Sequence, residues 1–196
     1  MNAFTHVYLS MVFKKAIEKK LPVKLNTLSF IIGNLKPDFS LLLLKVPHYR
    51  IPDSGLVKRE MDKLIGHNRK KYTTCTNDFS ERLGVVTHYL SDFFCYAHSA
   101  AFKGGVVRHF IYEKKLSMYR KSMKGKIMEL TSNMSYQLCS PDYQSLCGML
   151  DRMHAKYRSK KPSCARDLVY ILKAGIPLAA SLVSACLQME ENQLAA

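Results

Sequence analysis

Across 196 residues, 47% hydrophobic side chains supply material for one substantial core and exclude a disordered chain. Thirty Lys and Arg against fifteen Asp and Glu give +15, which points to an anionic partner: a phospholipid surface, a phosphorylated substrate or nucleic acid. Six cysteines with no CxxC pair argue against a zinc–thiolate site or a disulfide framework and fit reduced thiols in a cytoplasmic protein.

In chain order, apolar FTHVYLSMVF precedes basic KKAIEKK, the reverse of an export signal. Apolar positions Phe4, Val7, Tyr8, Met11, Val12 and Ile17 recur at helical spacing, so residues 3–20 are expected to be helical, with Pro22 ending the run. A short second helix is expected over 26–32, stopped by Gly33-Asn34. The stretch LKPDFSLLLLKVPHYRIPDSG holds three prolines and is expected to be irregular. A third helix is expected over 54–71, and a fourth, capped by Thr76 or Asn77, runs towards His98. Gly104-Gly105 precedes a fifth helix carrying His109 and Glu113. Pro141-Asp142 opens a sixth to about Arg158, and the polar SKKPS linker leads to a last, apolar one. Lys173, Gly175 and Pro177 interrupt that final run, which favours a buried or membrane-touching helix over a membrane span. No segment alternates as a strand does. The expectation is an all-α bundle, a single domain over residues 1–196.

The stretch HYLSDFFCYAH, residues 88–98, sets two histidines and an aspartate among aromatic side chains. Burying such groups is costly unless something satisfies them. His88 and Asp92 stand four residues apart on one helical face, and His109 and Glu113 repeat that offset. An imidazole and a carboxylate one turn apart can close on a single divalent ion. Either pair alone is a weak signal; ordinary core histidines beside carboxylates give the same spacing.

The form HYxxDxxxxxH resembles the signature of the zinc-dependent phospholipase C family, whose fold is shared with single-strand-specific zinc nucleases. Other matches follow in the family's order: FTHVY with His6, GNLKPD with Asp38, PHYR with His48 and HFIYE with His109 and Glu113. The resemblance implies two or three zinc ions. His48, His88 and Asp92 hold the first, with Asp38 as ligand or as the base that orients the attacking water. His98, His109 and Glu113 hold the second. His6, with Asp92 as a bridge, holds the third. Family members carry an N-terminal tryptophan whose amine and carbonyl serve the third zinc. This chain has no tryptophan, and the amine of Met1 precedes His6 by five positions.

An imidazole and carboxylate set without thiolate suits a catalytic zinc site, and several zinc ions suit hydrolysis of a phosphodiester. The resemblance therefore implies a phospholipase C-like hydrolase that releases a phosphorylated head group from a phospholipid, with peripheral membrane contact. Its rivals are a nuclease or phosphatase on the same scaffold, and a non-catalytic metal-containing protein bound to anionic surfaces. Glu113 favours the lipase branch over nucleic acid, since the nucleases usually carry aspartate at the matching place. His67 and His154 read as surface or structural histidines outside the site.

Overall fold

A computed structural model describes residues 1–39, 55–65, 76–140 and 142–194. Eight α-helices and one 3-10 turn make up the regular structure of those residues: α1 (Ala3–Lys20), α2 (Thr27–Phe39), α3 (Gly55–Ile65), α4 (Asn77–Phe93), the turn Tyr96–His98, α5 (Val106–Ser122), α6 (Lys124–Ser132), α7 (Tyr143–Arg158) and α8 (Cys164–Leu194). The all-α expectation holds.

α1 starts where its sequence says it should. The Asn2 side chain accepts from the Thr5 N–H at 3.0 Å, capping the first turn. Leu9, Phe13 and Ile17 then bury one stripe, with Thr5, His6 and Ser10 on the same inward side. α4 is buried along most of its length and lies beside α2. Thr76 caps it, accepting from the Phe79 N–H at 3.2 Å.

Two expectations need correcting. Gly33-Asn34 does not stop α2, which continues through Pro37 to Phe39. Gly33 instead serves helix crossing: a Cβ there would lie 2.0 Å from the Glu81 carbonyl oxygen, and one at Gly84 would lie 2.5 Å from that of Phe30. The two bare backbones therefore meet at a distance that only glycine permits. Pro37 forgoes the bond that its N–H would have made to the Gly33 carbonyl, but it lies in the last turn, so little helix remains beyond it to be disrupted.

Second, α4 ends at Phe93 rather than reaching His98. Cys95 is extended, and the Tyr96 N–H donates to the Asp167 carboxylate at 2.9 Å, turning the chain into the 3-10 turn.

The final run forms the buried helix that its sequence favours, and α8 continues through Lys173, Gly175 and Pro177. Lys173 is the exposed position of its stretch, while Gly175 leaves room for the Phe13 ring, which would stand 2.7 Å from an added Cβ. Cys164–Leu187 is long and apolar enough to cross a membrane, yet 78% of its most apolar window is buried inside the fold. It is the core helix against which α1, α3, α4, α5 and α7 pack.

Candidate metal centre

Five of these elements deliver polar side chains to one spot. α1 contributes His6, α2 contributes Asp38, α4 contributes His88 and Asp92, and α5 contributes His109 and Glu113; the 3-10 turn adds His98. His6, His88 and Asp92 are fully buried.

Asp92 lies at the middle. Its Oδ1 stands 3.3 Å from His6 Nε2 and 3.6 Å from His98 Nε2, and its Oδ2 stands 3.4 Å from His88 Nε2. On one side, ligand atoms of His6, Asp38 and His88 fall within 4.8 Å of one another, with the two imidazole rings stacked at 4.0 Å. On the other, those of His98, His109 and Glu113 do the same. Glu113 Oε1 lies 2.8 Å from His109 Nε2 and 3.2 Å from His98 Nε2. The Met1 amine reaches between the halves, 2.5 Å from Asp92 Oδ1, 2.8 Å from His98 Nε2 and 3.3 Å from Glu113 Oε1.

Supporting groups fix these positions. His88 Nδ1 donates to the Asn34 main-chain carbonyl at 2.7 Å, which aims the Nε2 lone pair at the cluster. Asn34 is itself held, its amide donating to the Phe30 carbonyl at 3.0 Å and its oxygen accepting from Thr87 at 3.2 Å. Asp167, fully buried in α8, accepts from the hydroxyls of Tyr112 and Tyr157 at 2.8 Å each. Through the Tyr96 N–H and through Tyr112, it ties both the turn bearing His98 and the helix bearing Glu113 to α8.

Charge follows from this packing. Burial lowers the pKa of His6, and burial with the neighbouring His6 lowers that of His88 far more, so both rings are neutral at pH 7. Burial works to raise Asp92, but His98, the Met1 amine, His6 and His88 outweigh it and hold the carboxyl well below its ordinary range. Burial likewise opposes ionisation of Glu113, yet the His98 hydrogen bond and the Met1 amine bring it down to about 2. Asp38 moves the other way. Burial first, and then the Asp92 charge, raise it to about 7.

The residues fit a metal cluster. Neutral imidazoles and ionised carboxylates are the ligand forms that zinc takes. Among the described residues, both ring nitrogens of His6 and Oδ2 of Asp92 are buried without a hydrogen-bond partner. Such orphans are rare in native folds, and a cation would occupy the lone pair of one His6 nitrogen and that of the Asp92 oxygen. The family comparison agrees: the sequence model described as zinc dependent phospholipase C matches residues 5–164. The chain belongs to that family. The family's description implies zinc dependence and suggests a phospholipid substrate. None of the curated proteins or solved structures compared with the chain matches it.

Of the sequence candidates, seven converge here, and His48 lies outside the described residues, as does His67. His6 stands 3.3 Å from Asp92, and its ligand atom also falls within 4.8 Å of those of His88 and Asp38. His154 is half-buried against Phe93, its ring stacked at 4.0 Å and no part of the cluster. Asn34, Tyr112 and Asp167 escaped sequence reasoning. The only trace of Asp167 was an acid in the first turn of an otherwise apolar helix.

Proposed function

We propose that the chain is a zinc-dependent phosphodiester hydrolase of phospholipase C type, which splits a phospholipid into diacylglycerol and a phosphorylated head group. The observation that carries this is the convergence of two three-residue ligand sets on one shared carboxylate, Asp92, inside a chain of this family.

His98, His109 and Glu113 hold one ion; His6, Asp38, His88 and Asp92 hold the rest of the cluster, joined by His48 on the strength of the resemblance. Zinc there supplies positive charge to the phosphoryl oxygens and lowers the pKa of a bound water. Asp38 is both the most accessible carboxylate of the set and the one whose pKa is lifted towards neutrality. It takes the proton of the attacking water at Oδ1. As the water oxygen bonds to phosphorus, the bond to the glycerol oxygen breaks, and that oxygen leaves as an alcohol with a proton returned to it. The buried walls formed by His6, His88 and Asp92 keep bulk water from the ligand side.

Assaying the purified protein on phosphatidylcholine, single-stranded DNA and a generic phosphodiester, with chelator and then with zinc restored, tests the proposal. Chelator-sensitive release of phosphocholine is expected. DNA cleavage without lipid turnover would replace it with a nuclease, and no metal-dependent turnover on any of the three would remove the hydrolase reading altogether.

A further inference from the structure

α5 turns its two sides to different surroundings. Glu113, Leu116 and Arg120 are buried. On the outside, Val106 and Val107 are each 72% exposed, Phe110 63%, Met118 62% and Ile111 48%. At about 100° per residue these five fall on one arc of the helix, with Lys114 inside it and Arg108 and Lys115 at its far edge. A soluble surface scatters its large apolar side chains, and a contiguous set marks an interaction site. The near edge of the arc adjoins the metal centre: the Phe110 ring lies 6.2 Å from that of His109.

The charges around the arc choose the partner. Lys103, Arg108, Lys114 and Lys115 are exposed beside it, and the one acid between residues 103 and 118 is Glu113, which points inward. Apolar side chains framed by cations suit an interface that is hydrocarbon below and anionic above. A second copy of the chain suits it poorly, because a twofold contact would set this cationic face against itself.

We propose that the outer face of α5 docks on an anionic phospholipid surface, with Val106, Val107, Phe110, Ile111 and Met118 entering the interface and the metal centre brought against the head groups. The choice of lipid rests on the phospholipid reading above.

The test uses the full chain on phosphatidylcholine vesicles with and without phosphatidylserine. Two paired substitutions, V107D/I111D and V107S/I111S, change exposed positions outside the ligand set. Each pair is expected to reduce partitioning at least about tenfold, with the melting temperature and turnover of a water-soluble phosphodiester unchanged. The serine pair keeps the net charge, so its loss reports apolar insertion. Because the chain has no tryptophan, Val107→Trp provides an independent signal, a blue shift on anionic vesicles. No binding by the unaltered chain, undiminished binding by both pairs, no shift from the tryptophan, or a dimer broken by the substitutions in place of vesicle binding would each overturn the docking face. Vesicle binding with no phosphodiester turned over would sink the hydrolase and leave the docking face standing; turnover of the soluble diester without vesicle binding would do the reverse.

Discussion

The Nδ1 of His88 and the main-chain carbonyl of Asn34 meet at 2.7 Å across the crossing of α2 and α4. That contact requires the near-touching backbones at Gly33 and Gly84. Gly84→Ala would press a methyl group against backbone atoms of Phe30, Gly33 and Asn34, none of which can swing away as a side chain does. Overpacking of this kind costs about 1–3 kcal/mol. A lower melting temperature and reduced zinc content are both expected, since opening the crossing also releases His88. Unchanged zinc content in a destabilised protein would show that the crossing does not govern the imidazole.

Asp92 stands between the two ligand sets, 3.4 Å from His88 Nε2 on one side and 3.6 Å from His98 Nε2 on the other, so Asp92→Asn should harm both. Loss of bound zinc, measured by elemental analysis, and a fall in turnover of at least about a hundredfold are expected. His109→Ala removes a ligand from one set alone and should lower the stoichiometry without emptying the site.

Asp167→Asn leaves a single acceptor oxygen where three donors converge. An unsatisfied buried donor costs about 1–3 kcal/mol, and zinc affinity should drop about tenfold through the loosened turn of His98. Tyr112→Phe, which removes one donor and leaves no orphan on the protein side, should be milder on both measures.

The pH dependence of the chelator-treated protein has two arms. Glu113 is held down at about 2, so it stabilises the fold above its unfolded pKa, and that contribution fades as pH falls from about 4.5 towards 2. The Met1 amine is buried, which lowers its pKa, yet Asp92 chiefly, with Cys95 and Glu113, raises it to about 11. Its contribution is complete below about pH 8 and is lost as pH rises through 11. Melting temperatures across pH should fall at both ends. In the zinc-loaded protein, activity should disappear in acid as the imidazoles protonate and release the metal.

The Thr76 cap lies at the far end of α4 from the cluster. Thr76→Ala should cost about 1 kcal/mol in chemical denaturation and leave zinc content unaltered.

The ligand candidates were legible because helical periodicity and an ordered set of residue types are local properties. His88 with Asp92, and His109 with Glu113, are pairs one turn apart on helices that the structure contains. What escaped were the properties that depend on a distant partner. Gly33-Asn34 looks like a helix stop when read along the chain and becomes a contact surface only when Gly84 arrives. The end of α4 is set by Asp167, 71 residues beyond Tyr96, and nothing near Phe93 announces it. Burial of α8, by contrast, was legible, because Lys173 in an otherwise apolar run marks a core helix rather than a span.

Asp167 has a practical corollary for anyone trimming the chain. The family match closes at residue 164, so a fragment cut there would keep every proposed zinc ligand while discarding the anchor that aims two of them. Such a fragment would look complete by inventory and still grip its second ion loosely.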